Sequence, residues 1–182
     1  MQFDLWTTTC VLMVPGVLWA AWIDYKEHRI PNWLNACIAA VGFAAQGWFH
    51  GWQGISVGLL GMLVGFALLI VPWLMHAMGA GDVKLLMAIG VWLGPGLTFV
   101  SFCIGALIGG AIALVMILIT GRFWHAYINF TLILQKVTNK GTVFSDFGSA
   151  KSFGDSSQLL PYGVPLMIGT LIVFFGRNLL PF

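Results

Sequence analysis

The chain has 182 residues, with 8 Lys+Arg against 6 Asp+Glu for a net charge of +2, and 59% of it is hydrophobic. Charged residues make up 8%, where a soluble domain carries about 25%. This excludes disorder, a nucleic-acid-binding module and almost any soluble globular domain, because too little polar surface remains to cover one. The composition is that of a polytopic membrane protein, one domain over residues 1–182, with lipid as its solvent.

In chain order, the first apolar run covers residues 5–23. Only Asp4 precedes it and no Lys or Arg does, so it reads as a retained span and not a secretory signal. Further runs cover residues 33–49, 55–75, 83–94, 97–120 and 159–176. A helix needs about 20 residues to cross the hydrocarbon core. The fourth run is short, so it crosses only if its ends lie in protein or in a water-filled recess. Between the fifth and sixth runs, Phe123, Tyr127, Phe130, Leu134 and Val137 follow helical spacing, which predicts an in-plane interfacial helix over residues 122–137. Residues 138–158, rich in Gly, Ser, Lys and Asp, read as a flexible loop. The expected fold is all-α, a transmembrane bundle of about six spans.

Orientation follows from the basic residues. Lys26, Arg29, Lys84, Arg122, Lys136, Lys140 and Lys151 fall on one side of a six-span chain, and only Arg177 falls on the other. That side is predicted to be cytoplasmic, with both termini outside. Glycines at four-residue spacing, Gly47/Gly51, Gly61/Gly65, Gly90/Gly94 and Gly105/Gly109, predict close helix contacts. Trp33, Trp48 and Trp52 read as interfacial anchors, and Cys10, Cys37 and Cys103 as apolar packing residues.

Of the six acids, Asp4, Asp146 and Asp155 read as solvated, and Glu27 lies in the first charged loop. Asp24 ends the first span and Asp82 opens the fourth, at the same expected depth. Ionisable groups at the edge of lipid are costly and usually functional. Two carboxyls meeting in a poorly solvated site cannot both ionise cheaply, so one holds a proton while the other stays anionic. That pair suits an aspartic peptidase: one carboxylate activates water and the protonated partner polarises the scissile carbonyl. Gly79 and Gly81 precede Asp82 and permit close approach of a substrate backbone. His28, His50, His76 and His125 are scattered, with no HExxH pattern, so neither metal nor cofactor is implied. Lys84, about 200° round a helix from Asp82, is expected to snorkel to lipid headgroups. A small proton-coupled transporter using the same Asp pair is the alternative from another class, although carriers favour polar residues at the bilayer midplane. A non-catalytic assembly subunit is a third, but it needs no paired acids.

Asp24, with Ile30-Pro31-Asn32 after it, resembles the first signature of the bacterial prepilin peptidases. Gly79-Ala80-Gly81-Asp82-Val83-Lys84 resembles their GxGD signature, and Pro161-Tyr162-Gly163 a stretch that opens their last span. The resemblance implies an aspartic endopeptidase that removes the leader of type IV prepilins or pseudopilins, with Asp24 and Asp82 as the catalytic pair. It further implies that Gly79, Gly81, Ile30, Pro31, Asn32, Pro161, Tyr162 and Gly163 help to position the substrate, which carries a short basic leader. Long members have a cytoplasmic domain with two CxxC pairs and N-methylate the product. This chain lacks those pairs and is similar to the short Flp/Tad pilus peptidases, for which methyl transfer is not expected.

Overall fold

A backbone surrounded by lipid must satisfy its hydrogen bonds internally, and long apolar runs therefore become helices. The computed structural model describes residues 4–74, 78–120 and 162–176, and every element among them is helical. Helix α1 is Leu5–Glu27, α2 is Asn32–Leu74, α3 is Ala80–Thr120 and α4 is Gly163–Gly176. The first three are long and apolar enough to cross a membrane, and α4 is a shorter apolar helix. A π-helical turn at Thr9–Met13 precedes Pro15 in α1. It accommodates the N–H that proline lacks, while the Thr9 hydroxyl donates to the Leu5 carbonyl at 2.7 Å.

At 43 residues, a straight α2 would run about 65 Å, twice the thickness of the hydrocarbon core. It breaks at Gly51 (φ 59°, ψ −141°), and α3 breaks at Gly94 (φ 74°, ψ 175°) just before Pro95. Positive φ is nearly free for glycine and costly for other residues. The breaks divide α2 into arms of residues 32–50 and 52–74, and α3 into arms of residues 80–93 and 95–120. The breaks fall in or beside residues 50–54 and 95–96, the gaps between the second and third and the fourth and fifth apolar runs, which hold no Asp, Glu, Lys or Arg. Gly51 is therefore a turning point with nothing packed on it, whereas Gly94 is a turning point that also packs closely: a Cβ on Gly61 would lie 2.9 Å from Gly94 Cα, and one on Gly94 3.0 Å from Val57 Cγ1.

The first arm of α3 lies at the centre. It runs antiparallel to the second arm of α2, with Gly58 beside Val91, Gly61 beside Gly90 and Gly65 beside Leu86. Gly61 and Gly90 pack backbone on backbone, leaving no room for a side chain on either. The same arm runs parallel to the first arm of α2, whose Gly42 leaves space for Trp92. The Trp92 indole N–H donates to the Ile38 carbonyl at 2.9 Å. Val83, Leu85, Leu86, Ala88, Ile89, Val91 and Trp92 are all buried, so this short segment is lined by protein and not by lipid. Pro95 and the Gly94 break deprive the Val91 and Trp92 carbonyls of their helical donors. The buried Gln46 amide donates to both, at 3.2 Å each.

Two further seams complete the bundle. The second arm of α3 pairs antiparallel with α4 through Gly105 and Gly169, beside a Ser101–Thr170 hydroxyl contact at 2.9 Å. Helix α1 packs on α2 through Gly16 and Ile38, and on α4 through a stacked Trp6–Phe174 pair at 5.8 Å. The expected interfacial helix and loop, residues 122–158, lie outside the described residues, as does Pro161.

A methyl group on Gly90 would come within 2.6 Å of the Gly61 carbonyl carbon, whereas Gly96 has nothing within 4 Å. Gly90→Ala is expected to cost about 2–3 kcal/mol or more through overpacking, and Gly96→Ala to stay within about 0.5 kcal/mol of the parent. Thermal unfolding of the two variants in detergent measures the difference.

Candidate active site

Four chain segments meet where α1 ends and α2, α3 and α4 begin. Helix α1 terminates at Glu27 with His28 in the left-handed region (φ 51°), its N–H donating to the Asp24 carbonyl at 2.8 Å. This cap turns the chain sharply into Arg29, Ile30 and Pro31. Pro31 sits just ahead of α2, and its carbonyl accepts from the N–H of Leu34 at 3.2 Å. Helix α3 starts at Ala80, which places Asp82 in its first turn, and α4 starts at Gly163.

Asp24 and Asp82 are both buried, at 5% and 7% exposure. Together they line a cleft of about 550 Å³ with Glu27, His28, Arg29, Ile30, Pro31, Asn32, Gly79, Ala80, Gly81 and Lys84. They are close enough for the charge of Asp24 to act on Asp82. Each also meets a helix N-terminus, where unpaired N–H groups and the macrodipole favour an anion. The Gly163 N–H, first in α4, donates to Asp24 Oδ2 at 2.9 Å. The backbone N–H of Gly79 faces the Asp82 carboxylate. Two carboxyls facing one recess can hold a single proton between them, the combination that activates water and polarises a carbonyl.

The sequence-predicted residues gather here with different contacts. Gly79 is exposed and borders the cleft. Gly81 also lines the cleft and packs against the segment that leads into α2: a Cβ on it would sit 3.2 Å from Ile30 Cβ and 3.3 Å from Ile30 N. Its missing side chain thus lets the two segments meet. Asn32 accepts a hydrogen bond from the exposed Lys84 Nζ at 2.8 Å. Tyr162 is half-buried, close enough to feel the Asp82 charge. Gly163 has no room for a side chain, since a Cβ would lie 2.7 Å from Asp24 Oδ2.

Asn35 was not legible as part of this junction. It is 3% exposed, and its Nδ2 donates to the Gly81 carbonyl at 3.1 Å. The available signal was an amide within an apolar run, which is costly unless hydrogen-bonded. Gln46 carries the same signal.

Gly163→Ala is expected to force Asp24 or α4 aside and cost about 1–3 kcal/mol. Asn32→Ala, which removes only an exposed contact, should leave stability within about 1 kcal/mol. Paired unfolding curves in detergent separate the two.

Among known proteins, the model of the type IV leader peptidase family matches residues 11–114, more than half of the chain. The match includes Asp24, Ile30-Pro31-Asn32 and Gly79-Ala80-Gly81-Asp82, and stops short of Tyr162 and Gly163. No curated protein and no solved structure matches the chain.

Proposed function

This chain belongs to the type IV leader peptidase family, and on that premise we propose that it is an aspartic endopeptidase in which Asp24 and Asp82 share the chemistry. The observation that carries the proposal is the pair of buried carboxyls, brought from α1 and α3 to one cleft, each at a helix N-terminus. In this reading one carboxylate takes a proton from water while its protonated partner hydrogen-bonds to the scissile carbonyl oxygen. As the water oxygen bonds to the carbonyl carbon, the partner's proton passes to the carbonyl oxygen, giving a tetrahedral diol. Its collapse breaks the C–N bond as the carboxyl that took the water proton gives it to the leaving amine, and the other carboxylate takes a proton from a diol hydroxyl, which restores the pair. Exposed Gly79 at the cleft rim leaves space for an extended substrate strand, and half-buried Tyr162 borders the Asp82 side.

The substrate in this reading is a type IV prepilin of the Flp kind, cut at the cytoplasmic face of the inner membrane. Glu27, which is exposed and lines the cleft, offers a carboxylate to a basic leader. Asp146 and Asp155 would do the same from outside the described residues, as weak, salt-sensitive contacts. The two broken helices support six crossings with both termini outside. Their turning points at Gly51 and Gly94 then lie opposite the cleft, and Trp48 and Trp52, 86% and 82% exposed beside Gly51, suit the outer interface. A cysteine probe at Trp52 should be labelled from outside, whereas probes at His28 and Ser149 should not; outside labelling at His28 would refute this topology.

Asp24→Asn and Asp82→Asn are each expected to lower cleavage of a pilin precursor by at least about 10²–10⁴-fold in reconstituted vesicles. Asn keeps the size of Asp but cannot exchange a proton near neutral pH. The double variant should be no worse than either single one, because groups acting as a unit are not additive. Asp146→Asn and Asp155→Asn should keep most activity. Cleavage by a properly inserted Asp82→Asn protein would rule the mechanism out.

A further inference from the structure

The Asp82 carboxylate can work only if the first turn of α3 is held in register with α1 and α2. Two side chains from the start of α2 reach that turn. Asn32 does so at the surface, through Lys84. Asn35 does so from inside, donating Nδ2 to the carbonyl of Gly81, the residue directly before Asp82. An exposed contact of the first kind contributes little, whereas the second is part-buried, its donor side chain being only 3% exposed.

The chemistry of Asn35 argues against a packing role. Its Oδ1 is buried with no hydrogen-bond partner among the described residues, a state that native proteins rarely tolerate without a reason. An apolar side chain of the same size would fill the space without leaving that acceptor unpaired. The amide orientation is fixed as well, since a flip would set Oδ1 against the Gly81 carbonyl. What an apolar residue cannot supply is the donor. Gly81 has no side chain of its own to lock its conformation, and it lies between Ile30 on one side and Asp82 on the other. The Gly81 carbonyl is therefore the point at which α2 can set the angle of the Asp82 backbone.

We propose that Asn35 is a positioning residue of the site, acting through the Gly81 carbonyl to fix the carboxyl of Asp82. The inference rests on the aspartic-peptidase reading for its effect on turnover, and on the Asn35–Gly81 hydrogen bond alone for its effect on the loop. Asn35 does not touch the reacting atoms.

The test is Asn35→Leu, which keeps the branched shape and removes the donor, in the full chain reconstituted in vesicles with a pilin precursor. The expected result is a kcat lower by about 10–100-fold, the loss typical of a small misplacement. KM should stay within about twofold, the pH dependence of kcat should be displaced and the melting temperature should not fall. Asn35→Ser, smaller and still a donor, should have a kcat between those of the wild type and Asn35→Leu. Hydrogen exchange without substrate should show the amides of residues 79–83 exchanging at least about tenfold faster in Asn35→Leu. Wild-type cleavage with full kcat and an unmoved pH profile in Asn35→Leu would overturn the inference while leaving the peptidase reading intact. A wild-type protein that cleaves no precursor would refute the peptidase reading, and the exchange measurement would still decide the inference: unchanged exchange at residues 79–83 would overturn it.

Discussion

Close backbone contact between Gly61 and Gly90 sets the depth of everything at the cleft. Helices in lipid gain no hydrophobic drive toward one another and associate through packing and buried hydrogen bonds. With no side chain on either residue, the second arm of α2 and the first arm of α3 meet backbone to backbone. Gly58 and Gly65 extend the contact along both arms. Once this seam is closed, the first arm of α3 is enclosed on both sides, and the Gln46 amide secures its far end at the Val91 and Trp92 carbonyls. The near end, carrying Gly81 and Asp82, is then fixed against Ile30 and the end of α1. A chain that slipped by one turn along this seam would carry Asp82 about 5 Å away and empty the site of one acid.

The carboxyls also serve the fold that holds them. A helix N-terminus leaves N–H groups without partners, and burying such an end without an acceptor is costly. Asp24 supplies that acceptor to α4 through Gly163, a residue 139 positions away. Asp82 lies in the first turn of its own helix. Burial and capping therefore pull in opposite directions on the same groups: the recess disfavours charge, and the helix ends welcome it. In the proposed peptidase such a balance would suit a pair that passes one proton back and forth, and Asn, which keeps an acceptor oxygen, is the substitution that separates chemistry from folding.

Much of this was legible in the residues because membrane proteins are constrained so simply. Apolar runs and the uncharged stretches around Gly51 and Gly94 located the helices and their breaks. Glycine spacing at Gly61/Gly65, Gly90 and Gly105/Gly109 marked seams that the structure contains. The same spacing misassigned Gly51 and did not reveal that Gly94, though closely packed on Gly61, is also a turn, because a pattern of small residues does not mark where positive φ is needed. Lys84 and Gly81 were read locally, from position on a helix and from freedom of backbone, and their contacts with Asn32 and Ile30, about 50 residues away, could not be read that way. Asn35 and Gln46 were overlooked because hydropathy averages a lone amide into its apolar neighbours, and their partners are backbone carbonyls about 45 residues distant. A carbonyl leaves no mark in a sequence.

The central claim is that this membrane protein cuts a leader from a pilin precursor. It is tested most directly by sequencing the N-terminus of the pilin recovered from cells that do or do not contain the protein. The account predicts a single new N-terminus, at the junction between the basic leader and the apolar helix, present only when the protein is present. The same unprocessed N-terminus in both cultures, or the same processed one in both, would contradict it.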